Sequence, residues 1–161
     1  MGKDVSAVLD LISAHWEAGQ RVAVLVSGDP GLCSLAQPVV RRFGRENCEI
    51  VPGISSVQVA FARLALDWHE ARIVSVHGRK VRMGVRALAG SNTIAILPGG
   101  EDSWAWIREV AEVLSKTHRV WLCERLTLPG ERVVEVEPEA LLEMASSSLA
   151  VVVLVQRGGA Q

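Results

Sequence analysis

The stretch Arg21-Val22-Ala23-Val24-Leu25-Val26-Ser27-Gly28-Asp29-Pro30-Gly31 decides how the chain is to be read. A dense run of β-branched and aliphatic residues ends in a segment made wholly of turn formers. The run lacks the apolar–polar alternation of a half-exposed strand, so it predicts a strand covered on both faces, as in a parallel sheet. Upstream, Val5, Val8, Leu9, Ile12 and Trp16 follow helical spacing, with Asp4 or Ser6 as cap and Gly19 as stop. Downstream, Leu32 to Phe43 resumes helical spacing and Gly44 ends it. Cys48 to Val51 reads as a second short strand, and Pro52-Gly53 leads into a helix from about Ser55 to Leu64. Helix, strand, helix, strand, helix implies an α/β fold with a parallel sheet and covering helices.

The pattern pauses at Leu66-Asp67-Trp68-His69-Glu70, which places a boundary between an N-terminal α/β lobe, residues 1–67, and a C-terminal α/β lobe, residues 68–161. In the second lobe Arg72 to Val76, Asn92 to Ile96, Arg119 to Cys123, Arg132 to Val136 and Leu149 to Val155 read as strands. Helices are expected over about Val81 to Leu88, from Glu101-Asp102-Ser103 to about Leu114, and from Pro138 to Met144. The short turn Leu128-Pro129-Gly130 predicts antiparallel pairing, so this lobe carries a mixed sheet. The chain opens on a helix with no strand before it, so its first parallel unit is incomplete.

Composition excludes several classes. Lys plus Arg total 17 against 18 Asp plus Glu, a net charge of −1, which argues against a protein built to hold a nucleic acid backbone. A hydrophobic fraction of 49% supplies ample core and argues against disorder. The longest apolar run, Leu149 to Val155, is far below the roughly 20 residues of a bilayer span. Three scattered cysteines, Cys33, Cys48 and Cys123, give neither a disulfide framework nor a zinc ribbon, which fits a reducing, cytoplasmic setting. No secretory leader is expected. Arg supplies 14 of the 17 cations, which suits bidentate recognition of carboxylates or phosphates and equally suits GC-rich coding.

Two constellations carry candidate chemistry. In the first, Gly28 and Gly31 let a ligand approach the backbone beyond the carboxyl end of a strand, where open α/β sheets bind ligands. Asp29 either accepts hydrogen bonds from that ligand or caps the following helix. No phosphate-binding Lys-Ser/Thr and no G-x-G-x-x-G is present. In the second, Val51-Pro52-Gly53-Ile54-Ser55-Ser56, the hydroxyls of Ser55 and Ser56 read either as helix caps or as ligand contacts. Turns on neighbouring parallel strands would face one edge of the sheet and line one ligand. His77-Gly78-Arg79-Lys80 ends a strand and reads as an anion contact or a solvated basic turn. His15, His69 and His118 stand outside any metal-ligand spacing and are expected at the surface, with no metal site. Of Trp104 and Trp106, one is expected in the core.

The paired turns, Ser27-Gly28-Asp29-Pro30-Gly31 with Val51-Pro52-Gly53-Ile54-Ser55-Ser56, resemble the tetrapyrrole (corrin/porphyrin) methyltransferase family, and the resemblance runs through nearly the whole chain. Gly53 to Leu64 and Arg72 to Arg79 are similar to its cobalamin-pathway branch, which methylates C5 of a precorrin ring. The resemblance implies a two-lobed α/β enzyme that uses S-adenosyl-L-methionine in a cleft between its lobes. By position it implies cofactor contacts from Ser27, Gly28, Asp29, Leu32, Ser55, Ser56, Leu97 and Leu126. The Leu97-Pro98-Gly99 segment and the Glu124-Arg125-Leu126-Thr127 turn would flank the adenosine. It further implies His77 and Arg79 against the carboxylates of a precorrin substrate, no catalytic base assigned, a homodimer, and a C15-methyltransferase/decarboxylase as a possible partner. Alternatives are methylation at another ring position, or a non-catalytic module that binds the cofactor. The family opens with a strand and a Gly-x-Gly-Pro-Gly loop that are absent from this sequence, so the expectation is an N-terminally truncated member.

Overall fold

The run Ala150–Gln156 is apolar at every position but its last, and residues Ala150 to Leu154 are buried. Such a strand has neighbours on both edges and cover on both faces. In the computed structural model, which describes residues 4–76, 84–100, 102–144 and 149–158, it is the central strand, β5, of a five-stranded sheet. The order is β1-β2-β5-β3-β4, with β1 Arg72–Ser75, β2 Thr93–Leu97, β3 His118–Glu124 and β4 Arg132–Glu135. β1 and β2 are parallel, while β5 runs antiparallel to both β2 and β3, and β3 to β4. The expected mixed sheet and the antiparallel pairing across Leu128-Pro129-Gly130 are both present.

Register sorts the side chains. Ile96, Val152 and Leu122 lie level across three strands and share one buried cluster. Helix α4, Asp102–Leu114, brings Trp104, Ile107, Val110, Ala111 and Leu114 to that cluster at helical spacing, and Trp106 packs partly against it. On the other face Val151 and Val153 are buried, and helix α3, Ser56–Arg63, packs on β5 with Val57, Ala60 and Phe61 buried. A 3-10 turn at Val85–Leu88 stands where a helix from Val81 was expected, with 81–83 outside the described residues. Pro138–Ala140 forms another 3-10 turn that continues into α5, Leu141–Met144.

By compactness the chain divides into Met1–Ser55 and Ser56–Gln161, ahead of the boundary read at 67–68, because α3 goes with the sheet. In the first unit α1, Val5–Glu17, is capped by Asp4, whose carboxylate accepts from the Ser6 N–H. Helix α2, Ala36–Phe43, packs on it through an edge-to-face pair of Trp16 and Phe43 at 5.6 Å. Helix α2 starts four residues after Leu32, because Cys33 adopts a left-handed φ of 53° and Asp29 ties up the N–H groups of Gly31 and Leu32.

Two strand expectations are corrected. Arg21–Val26 and Cys48–Val51 belong to no β-ladder, and the first unit has no strand among its described residues. A strand needs a neighbouring strand to partner its main-chain N–H and C=O groups, and neither segment has one. Their apolar side chains are accordingly open, with Leu25 at 93% and Val51 at 71% exposure. A third correction concerns His118, which is 1% exposed. Its Nε2 donates to the Ser91 carbonyl at 2.9 Å and its Nδ1 lies 2.9 Å from Thr117 Oγ1, so both nitrogens are partnered and burial is tolerated. His15 and His69 are exposed as expected.

Candidate functional site

Asp29 organises the two glycine turns. Its Oδ1 accepts from the N–H of Gly31 at 2.8 Å and of Leu32 at 3.1 Å, and its Oδ2 accepts from the N–H of Gly53 at 3.2 Å. One carboxylate therefore closes its own turn and fastens the second turn to it. The two glycine turns expected to line one ligand are side by side. Glycine is required at both: Gly28 has φ 72°, and a Cβ on Gly53 would collide with the Gly28 carbonyl oxygen. Gly28 also rests on the main chain of Ile54 and Ser55. Ser27 and Gly28 are exposed, Asp29 and Leu32 half-buried, and Ser55 buried. Ser56 is the exposed first residue of α3. The geometry thus favours the capping role for Asp29, extended across to Gly53, while the exposed main chain at Ser27-Gly28 remains open to a ligand.

The remaining candidate residues lie on the sheet unit. Leu97 ends β2 and is 8% exposed. The following Pro98-Gly99-Gly100 is pinned by Ser103, whose Oγ accepts from the Gly99 N–H at 2.9 Å and donates to the Gly100 carbonyl at 2.7 Å. Leu126, half-buried, sits in the turn after β3 between two left-handed residues, Arg125 at φ 50° and Thr127 at φ 66°. That turn is fixed by Arg125 N–H to the Leu149 carbonyl at 2.9 Å and Thr127 N–H to Glu131 Oε2 at 2.6 Å. Glu131, which sequence reasoning missed, also pairs with Arg63 at 2.5 Å. Those hydrogen bonds, from Arg63 first and then Thr127, hold its carboxyl below the usual range. The only signal was an acidic residue just past a Pro-Gly turn. Leu97 and the β3 turn lie at the same end of the sheet, where β1, β2 and β3 all end. His77 and Arg79 lie outside the described residues.

Other chemistry is thin. Burial, and then the charge of Glu131, pushes the Cys123 thiol up to about 12, which makes it inert. Among the described residues no group of three or more His, Cys, Asp or Glu is placed to hold a metal ion. No helix among them is long and apolar enough to cross a membrane. The glycine turns offer exposed main chain and hydroxyls, and the end of the sheet offers apolar side chains, groups suited to binding and orienting a ligand.

Residues 3–142 match the family described as Tetrapyrrole (Corrin/Porphyrin) Methylases. The chain belongs to this family. It is 34% identical over 137 residues to the cobalt-precorrin-7 C(5)-methyltransferase of Salmonella typhimurium strain LT2, covering 83% of this chain and 65% of that protein. It therefore spans a little under two thirds of that relative. Among solved structures, the cobalamin biosynthesis precorrin-6Y methylase of Archaeoglobus fulgidus aligns with TM-score 0.62 and 29% identity over 92% of this chain and 70% of its own. The uroporphyrin-III C-methyltransferase of Thermus thermophilus, complexed with S-adenosylhomocysteine, shares the fold at TM-score 0.70 and 24% identity, covering 92% and 72% of the two chains.

Proposed function

We propose that this methylase-family chain acts in cobalamin biosynthesis as an S-adenosylmethionine-dependent methyltransferase on C5 of a precorrin ring. The observation that carries the reading is the fastening of two glycine turns by Asp29, which builds an open main-chain surface. The Salmonella relative at 34% identity supports the C5 position. The cofactor supplies a methyl group already activated on a sulfonium. The protein's task is then to align sulfonium and ring carbon and to exclude water, and such positioning supplies most of the acceleration. Ser27, Gly28 and Leu32, with Asp29 holding their turn, would meet the amino-acid end of the cofactor, joined by Ser55 and Ser56. Leu97 and Leu126 would flank its adenosine. His77 and Arg79 would face the ring carboxylates, where a guanidinium can pair bidentately. We assign the working state as a cytoplasmic homodimer, with a C15-methylating, decarboxylating enzyme as the partner in the next step.

Calorimetry with S-adenosylhomocysteine and a methyl-transfer assay on a precorrin test this reading. Saturable binding with transfer to C5 is expected. Binding without transfer would reduce the chain to a cofactor-holding module, and transfer to another ring carbon would move it to a different branch of the family.

A further inference from the structure

Two of the residues proposed to meet the cofactor lie on the sheet unit in separate elements: Ser56 opens α3, and Leu126 sits in the turn after β3. That turn is strained. Leu126 stands between Arg125 at φ 50° and Thr127 at φ 66°, and a left-handed φ is costliest for a β-branched residue such as threonine. Such a conformation persists only where its surroundings hold it. The Arg125 N–H donates to the Leu149 carbonyl and the Arg125 Nε to the Pro129 carbonyl, both at 2.9 Å, which secures the entry to the turn. At Thr127 the restraint is Glu131, whose Oε2 accepts from the Thr127 N–H at 2.6 Å.

Glu131 is itself held from another element. Arg63, the last residue of α3, donates from Nε to Oε1 at 2.5 Å and from Nη2 to Oε2 at 3.3 Å. The fork engages both carboxylate oxygens, so it fixes the rotation of the carboxylate as well as its place. A continuous path thus runs from α3 through Arg63 and Glu131 to Thr127, the residue beside Leu126. The core does not depend on this pair: the Arg63 side chain is 47% and that of Glu131 24% exposed, and ion pairs this open to water add little to stability. We propose that Arg63 and Glu131 are a positioning pair for the reaction, which holds Thr127 in its left-handed conformation and so sets Leu126 in a fixed place relative to α3. The inference rests on the S-adenosyl cofactor proposed above and adds two residues that act on its binding through the turn.

The test is calorimetry with S-adenosylhomocysteine on the 161-residue chain, beside a urea melt of each variant. Glu131→Ala should weaken binding about tenfold while the melt moves little. Arg63→Ala should weaken it less, since the bond from Thr127 to Glu131 remains. The double variant should bind no worse than Glu131→Ala, because the two residues act along one path. Glu131→Gln, which keeps an acceptor for Thr127, should recover part of the loss. Adding Thr127→Gly to Glu131→Ala should also recover affinity, because glycine takes a left-handed φ unaided. A pair that served stability alone would leave the affinity of the folded protein untouched in every one of these variants. If Glu131→Ala does not fold, Glu131→Gln with and without Thr127→Gly carries the comparison. Unchanged affinity in the folded Glu131 variants, or losses that sum in the double variant, overturn the inference. If the wild type does not bind, the cofactor reading itself fails, a different result from a wild type that binds beside variants that bind equally well.

Discussion

Asp29 does with one side chain what a helix cap and a strand ladder would otherwise do together, because three main-chain N–H groups from two turns converge on it. Asp29→Ala leaves all three N–H groups without their acceptor, and we expect about 1–3 kcal/mol of lost stability together with weaker S-adenosylhomocysteine binding. Gly53→Ala acts differently: its new methyl strikes the Gly28 carbonyl, which is main chain and cannot swing aside. Binding should therefore fall further than stability does. Paired chemical melts and calorimetry on the two variants check this, and equal affinities in both would separate the Asp29 turns from the ligand. The role of Asp29 was legible in its own turn, because a short acceptor ahead of Pro-Gly satisfies nearby N–H groups. Its bond to Gly53, 24 positions away, was not. The burial of His118 was equally hidden, since what permits it is a carbonyl at Ser91, 27 positions earlier.

At the scale of elements, the hairpin of β3 and β4 carries a cross-strand ion pair on the face opposite Val120 and Leu122. Arg119 pairs with Glu135 through Nε at 2.8 Å and Nη2 at 2.6 Å while lying over the Trp121 ring at 5.2 Å. The Arg119 hydrogen bonds hold the Glu135 carboxyl below its ordinary value. A carboxyl so depressed adds stability that is present above its unfolded pKa, about 4.3 for Glu, and is lost as pH falls through the lower folded value. Arg119→Ala should thus flatten the loss of stability on acidification below about pH 4.3 and change little with pH above it. Being exposed, the pair contributes modestly and less in high salt. Urea midpoints at neutral and acidic pH measure it, and an identical acid slope in wild type and variant would contradict it. The elements of the sheet unit were legible nearly residue by residue, because alternating and continuous apolar runs there meet real ladder partners. The same apolar density in Arg21–Val26 announced a strand, and the segment forms none. Apolar density is a local property, whereas a ladder depends on a neighbour.

The two units are accordingly uneven: one has a closed core, and the other displays Leu25, Val51 and Ile54 on backbone outside any β-ladder, with Ile54 at 73% exposure. Open main-chain groups beside apolar side chains recruit strands from other chains. We expect concentration-dependent association in light scattering, suppressed by Leu25→Lys. A monomer at all concentrations would count against it. The amides of Arg21–Val26 should also exchange with solvent far sooner than those of β5. The position of β5 carries a consequence for how the protein is made. Its residues are the last of the five strands to leave the ribosome, yet they lie in the middle of the sheet. Until they emerge, the nascent chain can hold β1 with β2 and β3 with β4 as two separate pairs, but no continuous sheet joins them. The fold is therefore sealed from its centre only once β5 emerges, and every earlier moment leaves the inner edges of β2 and β3 bare to other chains and to chaperones.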